Sequence, residues 1–237
     1  MVVEVHNLVK RFGSKTVLRG LDFQVEQGEF VALLGPNGAG KTTFLRILSS
    51  LTRPTMGSVC IGGFYLPQEA SAVRSRLGVV SHLPLLYGDL TAEENMRFFA
   101  RLYSIANMES RITEVLELVG LVSRRYDLVR IFSRGMQQRL AIARAVLHDP
   151  EVLLLDEPHT GLDQDACSML DEVLRHVTGR GRTVVMTSHD LGRTQDLASR
   201  FDVLSRGTIV RTVKKDMLPL DGLLTFYRQS LEVESHV

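Results

Sequence analysis

The chain has 237 residues, 44% of them apolar, with 28 Lys and Arg against 27 Asp and Glu and a formal net charge of +1. That length allows one large domain or two small ones with a sizeable core, which disfavours a fibre, a disordered tail or multidomain machinery. Balanced charge disfavours a dedicated nucleic-acid binder, and Cys60 and Cys167, far apart and without Cys-x-x-Cys spacing, suggest neither a disulfide framework nor a zinc site.

Val3 and Val5, then Leu21, Phe23 and Val25, alternate with polar residues on either side of Gly13-Ser14-Lys15, which predicts an antiparallel N-terminal sheet. Residues 30–34 form a continuous apolar run ending in glycine, the pattern of a strand buried on both faces. A helix follows, with Phe44, Leu45, Leu48 and Leu51 at helical spacing and Arg53-Pro54 as its stop. Residues 77–80, 152–155 and 183–187 read as further buried strands, and strands alternating with helices imply a parallel sheet. Between 83 and 149 the strand signal gives way to helices. Thr91-Ala92-Glu93-Glu94 is a capping box, a second helix runs to Gly120, and a third spans 133–148. Residues 201–204 and 208–213 flank Ser205-Arg206-Gly207 as a hairpin, and 216–237 read as a weakly specified tail. No run approaches the ~20 apolar residues of a membrane-spanning helix. Glu4 stands where a secretory signal needs an apolar stretch, so a reducing cytoplasm is the expected compartment.

Gly35-Pro36-Asn37-Gly38-Ala39-Gly40-Lys41-Thr42 fits G-x-x-x-x-G-K-[ST] and lies between a buried strand and a helix start, where the motif's chemistry requires it. Its glycines let backbone N–H groups wrap phosphates, and the helix N-terminus adds the positive end of its dipole. Lys41 is expected on the β- and γ-phosphates and the Thr42 hydroxyl on Mg²⁺. Asp156 and Glu157 end the 152–155 strand, the sheet edge where α/β proteins bind ligands. There Asp156 would hold Mg²⁺ through water, and Glu157 would be the general base on the attacking water. The rival reading, an acid pair capping the next turn, is weaker beside a phosphate loop.

Three further features leave alternatives open. Ser133 is the natural N-cap of a helix carrying Leu140, Ala143, Val146 and Leu147. The backbone near Gly135 makes a second anion receptor there, or simply a capped helix. His189, in Thr187-Ser188-His189-Asp190, reaches the same sheet edge as Glu157, as a γ-phosphate sensor or a polar surface group. Phe12, in what reads as a turn, suits adenine stacking and simple packing equally. Arg124, Arg125, Arg130, Arg134, Arg139 and Arg144 make the helical insert locally basic, which reads first as a solvated face.

The order of phosphate loop, helical insert with Ser-x-Gly, Asp-Glu strand, Thr160-Gly161-Leu162-Asp163 and Ser188-His189 resembles the nucleotide-binding subunits of ABC transporters over residues 3 to about 213. The resemblance implies an α/β P-loop NTPase fold, a RecA-like mixed sheet with an N-terminal antiparallel β subdomain and an inserted α-helical subdomain. It divides the chain into a nucleotide-binding core (1–82 and 150–215), the helical subdomain (83–149) and a tail (216–237). It further implies ATP and Mg²⁺ as cofactors, with the loop 35–42 and Thr43 on the phosphates. Two copies would assemble, so that Ser133, Arg134, Gly135 and Met136 of one close on ATP held by the other. In the same frame Phe12 matches the adenine-stacking aromatic, Asp163 the loop coupling the two sites, and His189 the switch histidine. An integral-membrane permease on a separate chain is the implied partner, at the cytoplasmic face of the cell membrane, with no nucleic acid involved.

Three positions depart from the family pattern. Arg134 replaces the first central glycine of the signature and Met136 its glutamine, while His82 stands at the lid-hinge position that normally holds glutamine. A neutral imidazole accepts a hydrogen bond from water but reaches differently from an amide. These departures, with residues 85–95 and 132–139, resemble the ATP-binding subunit of the cytochrome c biogenesis haem exporter. Drug and polysaccharide exporters share parts of both stretches. A soluble clamp on ribosomes or DNA is the rival of a different class. It fits poorly, since ribosome-acting relatives carry two such domains and DNA-repair relatives insert a long coiled coil, whereas here Lys41 and Ser133 lie 92 positions apart. A non-hydrolysing nucleotide-binding regulator is a third reading, opposed by the intact Asp156, Glu157 and His189.

Overall fold

Val3, Val5 and Leu8 turn inward from β1 (Val3–Phe12), as do Leu18, Leu21, Phe23 and Val25 from β2 (Lys15–Val25), and the two strands form the expected antiparallel pair. The computed structural model that contains them describes residues 1–81, 83–220 and 222–232. β1 also pairs with β4 (Met56–Ile61), which pairs with β5 (Phe64–Leu66), so this sheet runs β2-β1-β4-β5. The second hairpin left little trace in the sequence because its residues are half exposed and lack a clean alternation. Its turn, Gly62-Gly63, takes φ of +56° and +83°, which glycine adopts without strain.

The central sheet is mixed, in the order β10-β9-β3-β8-β7-β6. Its strands are β3 (Phe30–Leu34), β6 (Leu77–Val80), β7 (Val152–Asp156), β8 (Thr183–Thr187), β9 (Arg200–Ser205) and β10 (Thr208–Lys214). All pairings are parallel except β9 with β10. Successive residues serve opposite faces. Phe30, Ala32 and Leu34 join the core under the helical insert, together with Leu153, Leu155, Val184 and Met186. Val31 and Leu33 join the core under the N-terminal sheet, with Val152, Leu154 and Val185. A continuous apolar run is therefore what two covered faces require.

α1 (Lys41–Leu48) lies in that second core, where Phe44 meets Phe23 edge-on at 5.1 Å. The helix is shorter than its spacing predicted. Ser50 adopts φ +60°, and the amides of Ser50 and Leu51 bond back to Ile47 and Arg46, leaving Leu51 exposed. This is the Schellman stop with serine in place of the usual glycine, so the sequence carried no signal for it.

A short α2 (Ala70–Arg74) precedes β6, and the insert then supplies α3 (Ala92–Leu102), α4 (Met108–Leu118) and α5 (Arg134–Val146). Thr91 and Glu94 form the reciprocal capping box. Half of the basic stretch is paired with acids: Arg124 with Asp127, Arg125 with Glu93, and Arg130 with Asp89. Arg144 donates to Val79 O and Arg139 to Met169 Sδ. α6 (Gln164–Gly179) and α7 (Leu191–Leu197) complete the core. The expected tail is in part structured. After β10, α8 (Gly222–Glu232) buries Leu223 and Phe226 in the core under the insert.

Candidate functional site

The phosphate loop leaves β3 through Gly35 and enters α1 at Gly40. Both glycines are required. A Cβ on Gly35 would lie 2.1 Å from Leu204 O, and Gly40 takes φ +113° with Leu18 Cδ2 2.8 Å from where a Cβ would stand. α1 begins with no side-chain cap, so its first amides are open to an anion at the dipole's positive end. Asn37, Gly38, Ala39, Gly40, Lys41, Thr42 and Thr43 line one cleft of about 420 Å³ with Lys15, Thr16, Val17, Arg19, Glu157 and Arg206. That volume is in the usual range for small-molecule sites. Pro36 contributes its carbonyl, which with that of Gly35 accepts from Lys41 Nζ at 3.2 and 2.7 Å. Burial pulls the Lys41 ammonium below the ordinary lysine range, and the charges of Glu157 and Asp156 push it back up.

The acid pair is set by strand register. Asp156 on β7 stands opposite Thr187 on β8, and Thr187 Oγ1 donates to Asp156 Oδ1 at 2.8 Å while accepting from Glu157 N at 3.0 Å. Thr42 Oγ1 donates to the same Asp156 oxygen at 3.2 Å. Glu157 takes φ +50°, a costly conformation for a side chain of its size and one that recurs where function fixes the backbone. His189 Nε2 lies 2.6 Å from Glu157 Oε1. A carboxylate only accepts, so Nε2 carries the proton. The two residues whose connection sequence left open are thus in direct contact.

A hydroxyl and a carboxylate on one locus are hard oxygen donors that suit Mg²⁺. Among the described residues no group of three or more His, Cys, Asp or Glu forms a metal cage. Thr42 and Asp156 therefore fit an ion whose remaining ligands are phosphate oxygens and water.

Sequence reasoning missed Thr187 and Gln138. Thr187 orders both acids, and the only trace of it was its place at the end of a neighbouring strand. Gln138 Nε2 donates to Pro158 O at 3.0 Å, tying α5 to the loop after Glu157. Phe12 ends β1 rather than occupying a turn, is 53% exposed, carries Lys10 Nζ 4.7 Å over its ring and lies outside the lining of the phosphate-loop cleft. Asp163 caps α6, its Oδ1 accepting from Ala166 N at 2.8 Å. His82 lies outside the described residues.

Ser133 is the N-cap of α5, its Oγ accepting from Met136 N at 3.3 Å. Ser133 and Arg134 are exposed, Gly135 and Met136 half-buried, and none of the four lines the phosphate-loop cleft. Arg134 alone of the six insert arginines has no ion pair or hydrogen bond among the described residues. Its guanidinium lies over Gly161, where a Cβ would sit 2.6 Å from Arg134 Cζ. A separate groove is lined by Leu77, Val79, Leu85, Phe99, Tyr103 and His148. His148 stacks on Tyr103 at 3.8 Å and donates Nε2 to Leu77 O, and burial holds its imidazole down at about 4.

A mixed α/β sheet with a glycine-rich loop wrapping a helix N-terminus, facing an acid pair on the next strand but one, defines a P-loop nucleotide-binding protein. The family model described as ABC transporter matches residues 18–160. The chain is 35% identical to the linearmycin resistance ATP-binding protein LnrL of Bacillus subtilis over 211 residues, 88% of this chain and 68% of that one. It is 40% identical to the Nod factor export ATP-binding protein I of Burkholderia lata over 207 residues, 86% of this chain and 68% of that one. A solved ATP-binding subunit of an ABC transporter superposes with a TM-score of 0.85 at 30% identity, covering 91% of each chain. The ATP-binding cassette MJ0796, solved as a dimer in a post-hydrolysis state with ADP and Pi, superposes at 0.82 with 29% identity over 90% of this chain and 98% of that one. This chain belongs to the ABC transporter family as an ATP-binding subunit, and it is an ATP hydrolase.

Proposed function

We propose that the chain works as a homodimer that closes around two Mg-ATP and drives a separate membrane permease of the export class from the cytoplasmic face of the cell membrane. One observation carries the two-copy reading: the cleft that holds the phosphate loop, Lys41 and Glu157 includes nothing from 133–136, while Ser133 and Arg134 stand exposed at a helix N-terminus of their own. A second copy's Ser133, Arg134, Gly135 and Met136 complete the site. The dimeric MJ0796 cassette supports this arrangement.

Within each site, Lys41 and the loop amides from Gly35 to Thr43 bind the phosphates, and Thr42 and Asp156 hold Mg²⁺, which neutralises phosphate charge when bound. Glu157 takes the proton of the attacking water. His189, in contact with Glu157 Oε1, fixes that carboxylate's direction, and Asp163 links the two sites. Positioning and electrostatics are the main contributions, because phosphoryl transfer leaves little covalent work for the protein. Phe12, exposed at the end of β1, offers its ring to the adenine.

Residues 1–82 and 150–215 act as the nucleotide-binding body, 83–149 as the arm that meets the permease and 216–237 as an appended segment. No helix of the described residues is long and apolar enough to cross a membrane. Exposed Leu83, Leu85, Tyr87, Phe98 and Leu102 cluster in sequence around His82 and α3, and with the groove beside them they suit an apolar permease segment. Export is favoured by the resistance and Nod factor export functions named for two relatives. A haem exporter of cytochrome c biogenesis is the second reading, favoured by Arg134 and Met136 in the signature and by residues 85–95.

The test uses a tagged Glu157→Gln variant in its native host. Turnover should fall by roughly 10²- to 10⁴-fold, the usual worth of a general base, with ATP binding retained and the dimer trapped. A multispan permease should co-purify from detergent-solubilised membranes with ATP. Haem on that complex selects the second reading. Wild-type turnover in the variant would sink Glu157 as base, and recovery of ribosomes or DNA alone would sink the transporter reading.

A further inference from the structure

The β9–β10 hairpin closes through only two residues, Arg206 and Gly207, between the paired Ser205 and Thr208. Their φ values are +45° and +88°, the successive left-handed conformations of a type I′ turn. At its first central position that turn favours Asn, Asp or Gly, because a longer side chain's Cβ crowds the backbone. Arginine there runs against the turn's own chemistry.

Gly207 explains why the hairpin sits where it does. A Cβ on it would stand 2.3 Å from Val17 O, and its carbonyl accepts from Arg19 N at 3.0 Å, so the tip is docked on β2. The docking places Arg206 in the lining of the phosphate-loop cleft, beside Lys15 and Arg19. Among the described residues, Arg206 makes no ion pair, side-chain hydrogen bond or ring contact. The one acid in that lining, Glu157, is engaged by His189 at 2.6 Å. Three cations thus share a cleft rim without an anionic partner of their own, a repulsive arrangement that an anion relieves. The anion whose other contacts line the same cleft is a nucleotide's phosphate chain.

We infer that Arg206 is a phosphate-chain contact for the bound nucleotide, delivered by the hairpin and belonging to none of the sequence motifs. The inference rests on the cleft being the ATP site. Its guanidinium supplies charge-assisted donors from the β2 side, opposite the loop amides. The left-handed backbone is the strain accepted for that placement.

The experiment measures binding of ATP, ADP and adenosine to the full chain, with the melting temperature of the nucleotide-free protein, for wild type, Arg206→Asn and Arg206→Lys. Asparagine keeps the turn and removes the charge. Arg206→Asn should melt at or above the wild-type temperature yet bind ATP and ADP about tenfold more weakly, the scale of one charge-assisted bond, with adenosine unchanged. Arg206→Lys should recover part of the loss. Wild-type ATP affinity in Arg206→Asn, or an equal loss for adenosine, overturns the inference. A wild-type chain that binds no ATP at all would instead overturn the reading of the cleft.

Discussion

Two of the helices with glycine in their N-terminal turn, α1 and α5, are built in opposite ways. α1 starts at Gly40 with no side-chain cap, and its surroundings are occupied by Lys41, Thr42, Asp156 and Glu157. α5 starts at Ser133, which caps its own helix through a long 3.3 Å bond; Ser133 and Arg134 are exposed, Gly135 and Met136 half-buried. The first terminus is completed by its own chain. The second has a cap of its own, and its Arg134, unpaired among the described residues, lines a separate cavity of about 300 Å³ with Gln137, Gln138 and Glu157. A helix end that forgoes its cap leaves amide donors for a ligand, whereas one with a weak cap can exist free and still offer its backbone on contact. The pair is therefore suited to a site divided between two copies.

The sharpest way to break that division is to damage each end in a different chain. Lys41→Ala and Gly135→Glu should each lower ATP turnover by about 10²-fold or more, the cost of losing preorganised charge or of placing a carboxylate against phosphate. Gly135→Glu should still fold, because a Cβ there meets Ala166 only at 3.6 Å and an acid in the first helical turn complements the dipole. Mixed after unfolding and refolding together, the two variants should recover activity, since random pairing leaves roughly a quarter of the sites free of both defects. Recovery no greater than the sum of the separate variants would mean that each chain completes its own site.

A milder change probes the self-contained end. Thr187→Val keeps the shape of the strand residue but removes the hydroxyl that holds Asp156 Oδ1 and Glu157 N. The Glu157 amide retains Thr187 O at 3.2 Å, so the fold should survive. Turnover is expected to drop about tenfold, in line with one buried hydrogen bond of the site, while ATP affinity changes less. Equal losses in affinity and turnover, read from a titration and a phosphate-release assay, would show that Thr187 serves binding rather than the direction of the acids.

The uneven legibility of the two ends in sequence has a physical basis. Gly35 to Thr42 could be read outright, because close backbone approach leaves only glycine at Gly35 and Gly40 and the chemistry demands lysine and a hydroxyl in fixed order. The buried strands were equally plain, since two covered faces leave no polar positions within Phe30–Leu34 or Thr183–Thr187 beyond the threonines at the ends. Thr187 and Gln138 escaped because their meaning lies in what stands across the register or across the insert, which no local pattern records. Phe12 was placed in a turn because Gly13 follows it, yet the strand continues to the last residue before that glycine. Ser50 escaped for the opposite reason: it stops α1 in a conformation that glycine usually announces.

The smallest expected effect separates a cap from a ligand contact. Ser133 and Asp163 cap helices of the same core, at 3.3 and 2.8 Å. As caps alone, Asp163→Ala should cost about 1 kcal/mol and Ser133→Ala less, near 0.5 kcal/mol, because its bond is longer. Each kcal/mol lowers the melting temperature of a chain this size by roughly 2–4 °C. If Ser133 only caps α5, turnover should follow that small stability change. If it also closes on the partner's nucleotide, turnover should fall several-fold while nucleotide affinity of the single chain stays at the wild-type value. Loss of stability without loss of turnover in Ser133→Ala would reduce the α5 end from receptor to ordinary helix start, and the contrast between the two termini would then rest on Gly135 and Arg134 alone.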